Sequence, residues 1–252
     1  LARAIAADPG RKATHKKLCG VVLELGDDSA ALAHYHAART PGAAGSPRIV
    51  SSARLRDGAD FGREPYAVRV DDCLVTADRW LVVRGDKIYF EELLNRNIRL
   101  APCVKEVARD GRVLVDLPPT TMRLDGECAL LGGSENYFHW LVDYLCRLPL
   151  LTATGGAKDL PLLVNAPLMP FQRDALAMAG VDDSRLIEVP ADAVVACTRV
   201  LAPTLMGRGT RLHQMAVDWL RDTYRRTRPR GTGRRIYISR QNAPRRRLLN
   251  EA

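Results

Sequence analysis

Strands and helices alternate from about residue 126 onward, and this alternation restricts the fold more than any other feature of the sequence. Apolar runs of four to eight residues predict strands, and longer amphipathic stretches predict helices. The predicted elements are strand 128–131, helix 135–152, strand 160–164, helix 170–179 closed by Gly180, strands near 185–189 and 194–201, and a helix from about 210 to 226. Such alternation is typical of a mostly parallel sheet with helices on both faces. We therefore expect an α/β, Rossmann-type, doubly wound domain over residues 65–226.

The residues before the alternating strands and helices fall into three parts, the last of which opens the domain. Residues 1–40 fit the spacing of a tetratricopeptide repeat, and a plain helical hairpin is the alternative. Residues 41–64 include a Pro- and Gly-rich stretch and are interpreted as a linker. Short apolar runs with Gly-Asp and Asp-Gly turns between 65 and 125 predict a small antiparallel β layer. Its predicted strands are 73–76, 80–84, 87–90 and 112–116.

Composition and charge limit the classes of function. No apolar run approaches the ~18 residues that span a bilayer. Several cysteines lie inside apolar runs and fit a reducing cytosol, so we expect a cytoplasmic protein with at most peripheral contact with the inner face of the membrane. The six cysteines form no C-x-x-C pair, which gives no indication of a zinc site. Residues 221–247 contain eleven Arg and one acidic residue, which gives +10, whereas the rest of the chain carries −1 of the net charge of +9. This pattern favours a local anion site over a globally cationic protein.

The start of helix 135–152 carries a group of polar residues that indicates a catalytic site. Asn136, His139 and Asp143 are spaced i, i+3 and i+7, so they share one face of a regular helix, and Arg147 extends that stripe. The opposite face is expected to pack against the sheet, and it comprises Phe138, Leu141, Val142, Leu145 and Leu148. Imidazole ordinarily titrates near neutral pH, so His139 can act as a base that Asp143 orients. Alternatively, Asp143 is the base and His139 binds substrate.

Several neighbouring residues have two interpretations each. Asn136 binds a sugar hydroxyl or caps the helix. Gly132 and Gly133 either let backbone N–H groups approach a ligand or simply form a turn. Trp140 stacks on a sugar ring or packs in the core, and core packing is favoured. Arg147 is assigned to substrate binding with these residues.

The last part of the chain predicts the beginning of another α/β unit. Residues 227–233 are interpreted as an interdomain linker, and 234–252 as a strand, a polar loop and a helix start. The motif Asn136-Tyr-Phe-His-Trp-Leu-Val-Asp143 together with Ile236-Tyr-Ile-Ser-Arg240, Arg247 and Asn250-Glu251 resembles glycosyltransferase family 61, whose bacterial members are often capsular polysaccharide biosynthesis proteins. The resemblance extends from about residue 73 to the end. Because the chain begins with Leu1 and stops within this pattern, we expect a C-terminally truncated fragment that is itself inactive.

The resemblance implies a GT-B architecture, in which two Rossmann-like domains face a cleft. It implies inverting transfer of a sugar from a nucleotide sugar to a glycan acceptor, with no metal or other cofactor. Arg240 and Arg247 become the candidates for binding the donor diphosphate, with Glu251 beside them, and a solvated basic loop is the alternative.

Two other classes of function stay open. A tetratricopeptide scaffold that recruits a protein partner would carry a degenerate transferase domain. An Arg-rich nucleic-acid-binding protein is disfavoured, because the arginines are divided among a helix end, a linker and a loop, with few aromatic residues between them. We therefore expect a nucleotide sugar and a glycan acceptor as partners, and no nucleic acid.

Overall fold

The computed structural model describes residues 10–53, 65–89, 101–208 and 211–227. The helices of these residues are α1 (Lys12–Glu24), α2 (Asp28–Ala38), α3 (Tyr137–His139), α4 (Leu148–Ala153), α5 (Pro170–Met178) and α6 (Gln214–Thr227). The strands are β1 (Ser46–Ala53), β2 (Ala67–Thr76), β3 (Val82–Arg84), β4 (Lys87–Tyr89), β5 (Val104–Val107), β6 (Arg112–Leu117), β7 (Met122–Gly132), β8 (Leu162–Ala166), β9 (Leu186–Pro190), β10 (Val194–Pro203), β11 (Gly207–Arg208) and β12 (Arg211–Leu212).

Ten of these strands form one mixed sheet, in the order β5-β6-β1-β4-β3-β2-β10-β7-β8-β9. The four strands β10, β7, β8 and β9 are mutually parallel, as the alternation of strands and helices predicts. The strands from β5 to β2 pair antiparallel, except that β1 and β4 run parallel. Because β2 also pairs with β10, the predicted antiparallel layer is continuous with the parallel strands and is no separate layer.

The sheet curls strongly at its parallel end. Only residues 191–193 join β9 to β10, although β7 and β8 stand between these two strands in the sheet. So short a connection requires the sheet to fold back on itself. Gly126 in β7 has φ +90°, and the pairing of β10 with β7 shifts register between Cys197 and Arg199, irregularities that bend a strand. Inside the curl, Val75 and Trp80 pack in one cluster with Leu163 and Val189.

Helices cover the outer face of the parallel strands. Leu131 of β7, Val164 of β8 and Leu201 of β10 pack there against Trp140, Leu148 and Leu176. In the described ranges, the opposite face of the parallel strands packs against other strands of the same curved sheet. The doubly wound arrangement therefore stays a prediction, whereas the prediction of an α/β protein is confirmed, with one large mixed sheet.

The N-terminal helical hairpin is confirmed, and it docks on the sheet. Cys19 and Leu23 of α1 and Ala31 of α2 pack with Leu114 of β6 in a separate small cluster. Asp116 of β6 accepts hydrogen bonds from the Tyr35 hydroxyl at 2.8 Å and from Arg39 Nε at 3.0 Å. The hairpin thus buries its apolar face against the same chain. The tetratricopeptide assignment stays a prediction.

The predicted linker 41–64 is wrong in its middle, because Ser46–Ala53 forms β1 between β6 and β4. The predicted boundary at 65 accordingly cuts through one sheet. Among the helices of the described residues, none is both long enough and apolar enough to cross a bilayer.

Candidate active site

The predicted site lies where β7 ends, at the edge of the sheet where the parallel strands have their carboxyl ends. In open α/β folds this edge is where ligands bind. Gly132 has φ +80°, and a side chain there would lie 2.8 Å from the Tyr144 ring. At Gly133 an added Cβ would lie 1.8 Å from Asn165 Oδ1 at the end of β8. Both glycines are therefore required by close packing, which supports the turn interpretation and leaves ligand contact by their N–H groups as a prediction.

Three buried side chains hold the backbone carbonyls of this loop. Arg147 Nη1 donates to Leu131 O at 2.9 Å, Trp80 Nε1 donates to Gly133 O at 3.0 Å, and Gln172 Nε2 donates to Ser134 O at 2.9 Å. The donors are 0%, 1% and 0% exposed and belong to three different parts of the chain. Buried hydrogen bonds of this kind hold a loop in place, because a buried donor or acceptor that loses its partner cannot bond to water instead.

The helix that follows begins with a side-chain cap. Asn136 Oδ1 accepts hydrogen bonds from Phe138 N at 3.0 Å and from His139 N at 3.2 Å. The sequence leaves two roles open for Asn136, and these bonds are those of the helix cap. The cap fixes the backbone of His139 directly, because one of its two bonds is to that residue.

The segment after the cap is not the regular helix that the sequence predicts. After α3, residues Trp140–Tyr144 form a π-helical turn and Leu145–Arg147 a 3₁₀ turn, before α4 restores the α-helix. Cys146 Sγ contacts Leu141 O at 2.9 Å across the wide turn. π-Helical turns are rare and frequently found at functional sites. Here the turn changes which residues share a face.

His139 and Asp143 stay together through the π turn. His139 Nδ1 lies 2.7 Å from Asp143 Oδ2, and the two side chains are 32% and 24% exposed. The pair is thus partly buried and partly exposed. Because Nδ1 is bonded to the carboxylate, Nε2 is the nitrogen that can exchange a proton with a substrate hydroxyl.

Arg147 does not extend this polar stripe. The side chain is 0% exposed, with its guanidinium carbon 4.9 Å from the centre of the Tyr144 ring and Nη1 on Leu131 O. The structure thus gives Arg147 a place beneath the loop, and the prediction that it contacts substrate finds no support in this geometry. A planar guanidinium suits such a place, because its fork of donors can serve a carbonyl while its face lies against a ring.

Two aromatic residues beside the pair have opposite environments. Trp140 is 0% exposed and packs in the core, which is the interpretation that the sequence favours. Phe138 is 55% exposed, so the prediction that it packs against the sheet is wrong. Phe138 belongs to the three-residue helix α3, and Trp140 to the π turn that follows it.

The thiol next to the site is chemically quiet. Burial raises the pKa of Cys146 to about 12, and the neighbouring carboxylate of Asp143 adds to the shift. Cys146 is therefore protonated near neutral pH and is no nucleophile. Within the described ranges, no three His, Cys, Asp or Glu side chains come together as a metal-ion site requires.

The other predicted residues, Arg240, Arg247 and Glu251, lie outside the described residues. Conversely, sequence reasoning missed Trp80 and Gln172, which hold the loop from outside the motif. Gln172 carries one weak signal: it stands three residues after Met169, and its Oε1 accepts from Met169 N at 2.8 Å as in a capping box.

A cavity of about 980 Å³ lies elsewhere, between the helical hairpin and the sheet. Tyr35, Arg39, Asp116 and Asp192 are among the residues that line it. Burial and the bond to Asp116 raise the pKa of Tyr35 well above its usual value. The described part of this cavity is lined by none of the site residues predicted from the sequence, so size alone does not identify the site.

The sequence model of one protein family, Glycosyltransferase 61, matches residues 137–252, somewhat under half of the chain. The match begins at Tyr137, the first residue of the turn that carries His139. The matched residues are those of a glycosyltransferase, which confirms the prediction of an enzyme of this class. No curated protein and no solved structure matches the chain.

Proposed function

We propose that this protein is an inverting, metal-independent glycosyltransferase of GT-B architecture. It moves a sugar from a nucleotide sugar to a hydroxyl of a glycan acceptor in the synthesis of a bacterial capsular or extracellular polysaccharide. One observation carries the proposal: the 2.7 Å contact of His139 Nδ1 with Asp143 Oδ2, at the sheet edge where ligands bind and inside the matched segment. We place the reaction in the cytoplasm, at most peripheral to the membrane.

His139 is the base in this proposal. Its Nε2 takes the proton of the acceptor hydroxyl while that oxygen attacks the anomeric carbon of the donor. The bond from the anomeric carbon to the diphosphate breaks with its electron pair on the leaving phosphate oxygen, and the configuration at that carbon inverts. Asp143 holds the ring through Nδ1 and stabilises the imidazolium that forms.

The alternative, with Asp143 as base, is less compatible with the geometry. The carboxylate oxygen Oδ2 is already bonded to the imidazole, and the carboxylate is the more buried of the two side chains, 24% against 32% exposed. A base must reach the acceptor hydroxyl within hydrogen-bond distance. The greater exposure of the His139 side chain favours it for that contact.

The donor diphosphate is assigned to Arg240 and Arg247, with Glu251 beside them, on the strength of the family resemblance and the chemistry. Departure of a diphosphate without a metal requires cationic donors, and Arg binds phosphate oxygens in a bidentate manner. Asn136, Gly132 and Gly133 remain proposed acceptor contacts. Asn136 uses its Oδ1 in the helix cap, so its Nδ2 is the atom for such a contact.

The test is transfer from a panel of nucleotide sugars by the intact protein, with variants of the pair. His139→Ala is expected to lower kcat by about 10²-fold or more, the usual contribution of a positioned base. Asp143→Asn should cause a smaller loss, because the base remains without its orienting charge. Matched controls are His36→Ala and Asp222→Asn, which change exposed residues of the same types. Full activity of both site variants refutes the assignment.

One observation favours a scaffold role as a second candidate. Val21 and Leu25 of the helical hairpin are 44% and 78% exposed, although the hairpin packs its other side on the sheet. Such apolar residues suit contact with a partner protein. Restoration of polysaccharide synthesis by a His139→Ala/Asp143→Asn double variant, in cells that lack the wild-type protein, would favour this scaffold over the enzyme.

A further inference from the structure

Two large aromatic side chains stand in solvent at the turn that carries His139. Tyr137 is 61% exposed and Phe138 is 55% exposed. Met169, in the loop that follows β8, is 40% exposed. Burying a side chain such as Phe stabilises a fold, so leaving these rings outside forgoes that stabilisation. The exposed rings therefore need an explanation other than folding.

Ring contacts connect this turn to the neighbouring strand end. The Tyr137 and Phe171 rings meet edge to face, with centroids 5.2 Å apart and planes at 60°. On the other side, the Phe138 and His139 rings lie 5.6 Å apart at 75°. Phe171 belongs to the first turn of α5, after β8, so the contacts reach from one strand end to the next. We call Tyr137, Phe138 and Phe171 the aromatic platform.

We propose that the aromatic platform binds a pyranose ring of the acceptor and thereby brings one of its hydroxyls to His139. This rests on the proposed function of the pair. A pyranose with equatorial hydroxyls has faces of axial C–H groups, which are apolar. The face of an aromatic ring is the negative part of its quadrupole and attracts such C–H groups. The hydroxyls at the sugar edge then remain available to the imidazole.

The position of the platform favours a sugar over a membrane surface. Membrane-binding elements are usually amphipathic helices with a long apolar face flanked by basic residues. Here the exposed rings belong to a helix of three residues, Tyr137–His139, followed by a π turn. The platform also adjoins His139, whereas a bilayer seated on it would obstruct the approach of a soluble donor.

The Asn136 cap supports the same assignment. Its two hydrogen bonds fix the backbone of Phe138 and His139 together, at 3.0 and 3.2 Å. A ring held on Phe138 is thus held at a defined position relative to the imidazole. Proximity of this kind contributes strongly to the rate of a bimolecular reaction.

The test uses binding first, so that no turnover is needed. Saturation-transfer NMR with cellobiose, xylobiose and lactose measures contact of each disaccharide with the wild-type protein and with Tyr137→Ala and Phe138→Ala. We expect at least one disaccharide to bind and each substitution to weaken it about tenfold, since an aromatic contact is worth up to ~1.5 kcal/mol. Tyr224→Ala, at an aromatic residue of α6 that is 57% exposed, is the matched control and should bind as the wild type does.

Activity separates the platform from the proposed function. With a donor accepted by the wild type, the two platform variants should raise the acceptor KM about tenfold and change kcat much less. Unchanged acceptor binding in both variants overturns the platform while leaving the transferase proposal intact, and so does wild-type protein that binds no disaccharide. Platform-dependent binding without any transfer overturns the transferase proposal alone. A last outcome is that the wild type binds phosphatidylglycerol vesicles, whereas both variants lose vesicle binding and keep disaccharide binding. This result overturns the platform in favour of a membrane contact.

Discussion

The close contact of Gly133 with Asn165 gives the sharpest test of how the loop is held. Gly133→Ala places a methyl group 1.8 Å from Asn165 Oδ1, 2.6 Å from Cγ and 3.0 Å from Cβ. Gly133 has no positive φ, so the backbone accepts alanine and only the space opposes it. Asn165 cannot simply rotate away, because its amide is hydrogen-bonded with Gln172 at 3.2 and 3.3 Å.

The magnitude follows from overpacking of a tight site. An inserted methyl group that forces side chains and backbone to shift costs about 1–3 kcal/mol of unfolding free energy. The shift also moves Gln172, which holds Ser134 O at 2.9 Å, and so displaces the loop that leads to His139. A displacement of about 1 Å near a reacting group can lower the rate by about 10²-fold. We therefore expect kcat to fall more than stability alone accounts for.

The assay is urea unfolding combined with transfer kinetics, on three variants. Gly155→Ala is the matched control, because nothing lies within 4 Å of a Cβ added there. Its stability should be unchanged or raised by up to about 1 kcal/mol, the usual effect of a compatible Gly→Ala change. Gly133→Ala/Asn165→Ala removes the two shortest contacts and should therefore recover part of the loss. Equal stability of Gly133→Ala and Gly155→Ala refutes the reasoning.

Three further predictions concern the groups beneath the loop. Trp80→Phe leaves Gly133 O without its donor and should lower the unfolding free energy by about 1–3 kcal/mol and reduce kcat; a loss of stability with kcat unchanged would contradict the positioning role. Arg147→Met should cost at least as much, because Leu131 O loses a charged donor, and wild-type stability by urea unfolding would contradict this. The pKa of Cys146 is raised by burial to about 12, above the ordinary value of 9.0. The folded protein therefore retains this proton when the unfolded chain loses it, and the stability contributed by Cys146 is complete below pH 9 and lost as pH rises towards 12. Cys146→Ala should accordingly flatten the decline in unfolding free energy between pH 9 and 10.5, and a decline equal to that of the wild type would contradict the shift.

Much of the parallel part of the fold can be read from the sequence, because its signals are local. Apolar runs and a glycine closing a helix predict β8 to β10, α5 and α6 to within a few residues, but of β7 only the last part, because the predicted strand 128–131 begins six residues too late. β1 was missed because the run Ser46–Ala53 is mostly polar or half-exposed and follows a Pro- and Gly-rich stretch. Its strand conformation comes from pairing with β6 and β4, which are distant in sequence. No periodicity reports such long-range pairing.

The pair His139–Asp143 is also predictable from a local signal, because side chains four residues apart lie close together on a helix. The rest of the site is not. Arg147, which follows the π turn, lies beneath the loop, whereas a regular helix predicts that it extends the polar stripe. Helical periodicity assumes 3.6 residues per turn, and one wide turn shifts every later residue around the axis.

The missed residues also change how the chain divides into functional parts. Trp80 stands between β2 and β3, in the region that the sequence presents as a separate antiparallel layer, yet its indole N–H holds Gly133 O. Trp80 has φ +56°, an uncommon conformation for a large side chain, and such conformations persist where surrounding structure enforces them. The curl of the sheet brings Trp80 against Leu130 and Leu163 and places its indole within reach of the loop. The antiparallel strands are therefore part of the scaffold of the candidate site: without them, the loop before His139 would lack one of its three buried donors.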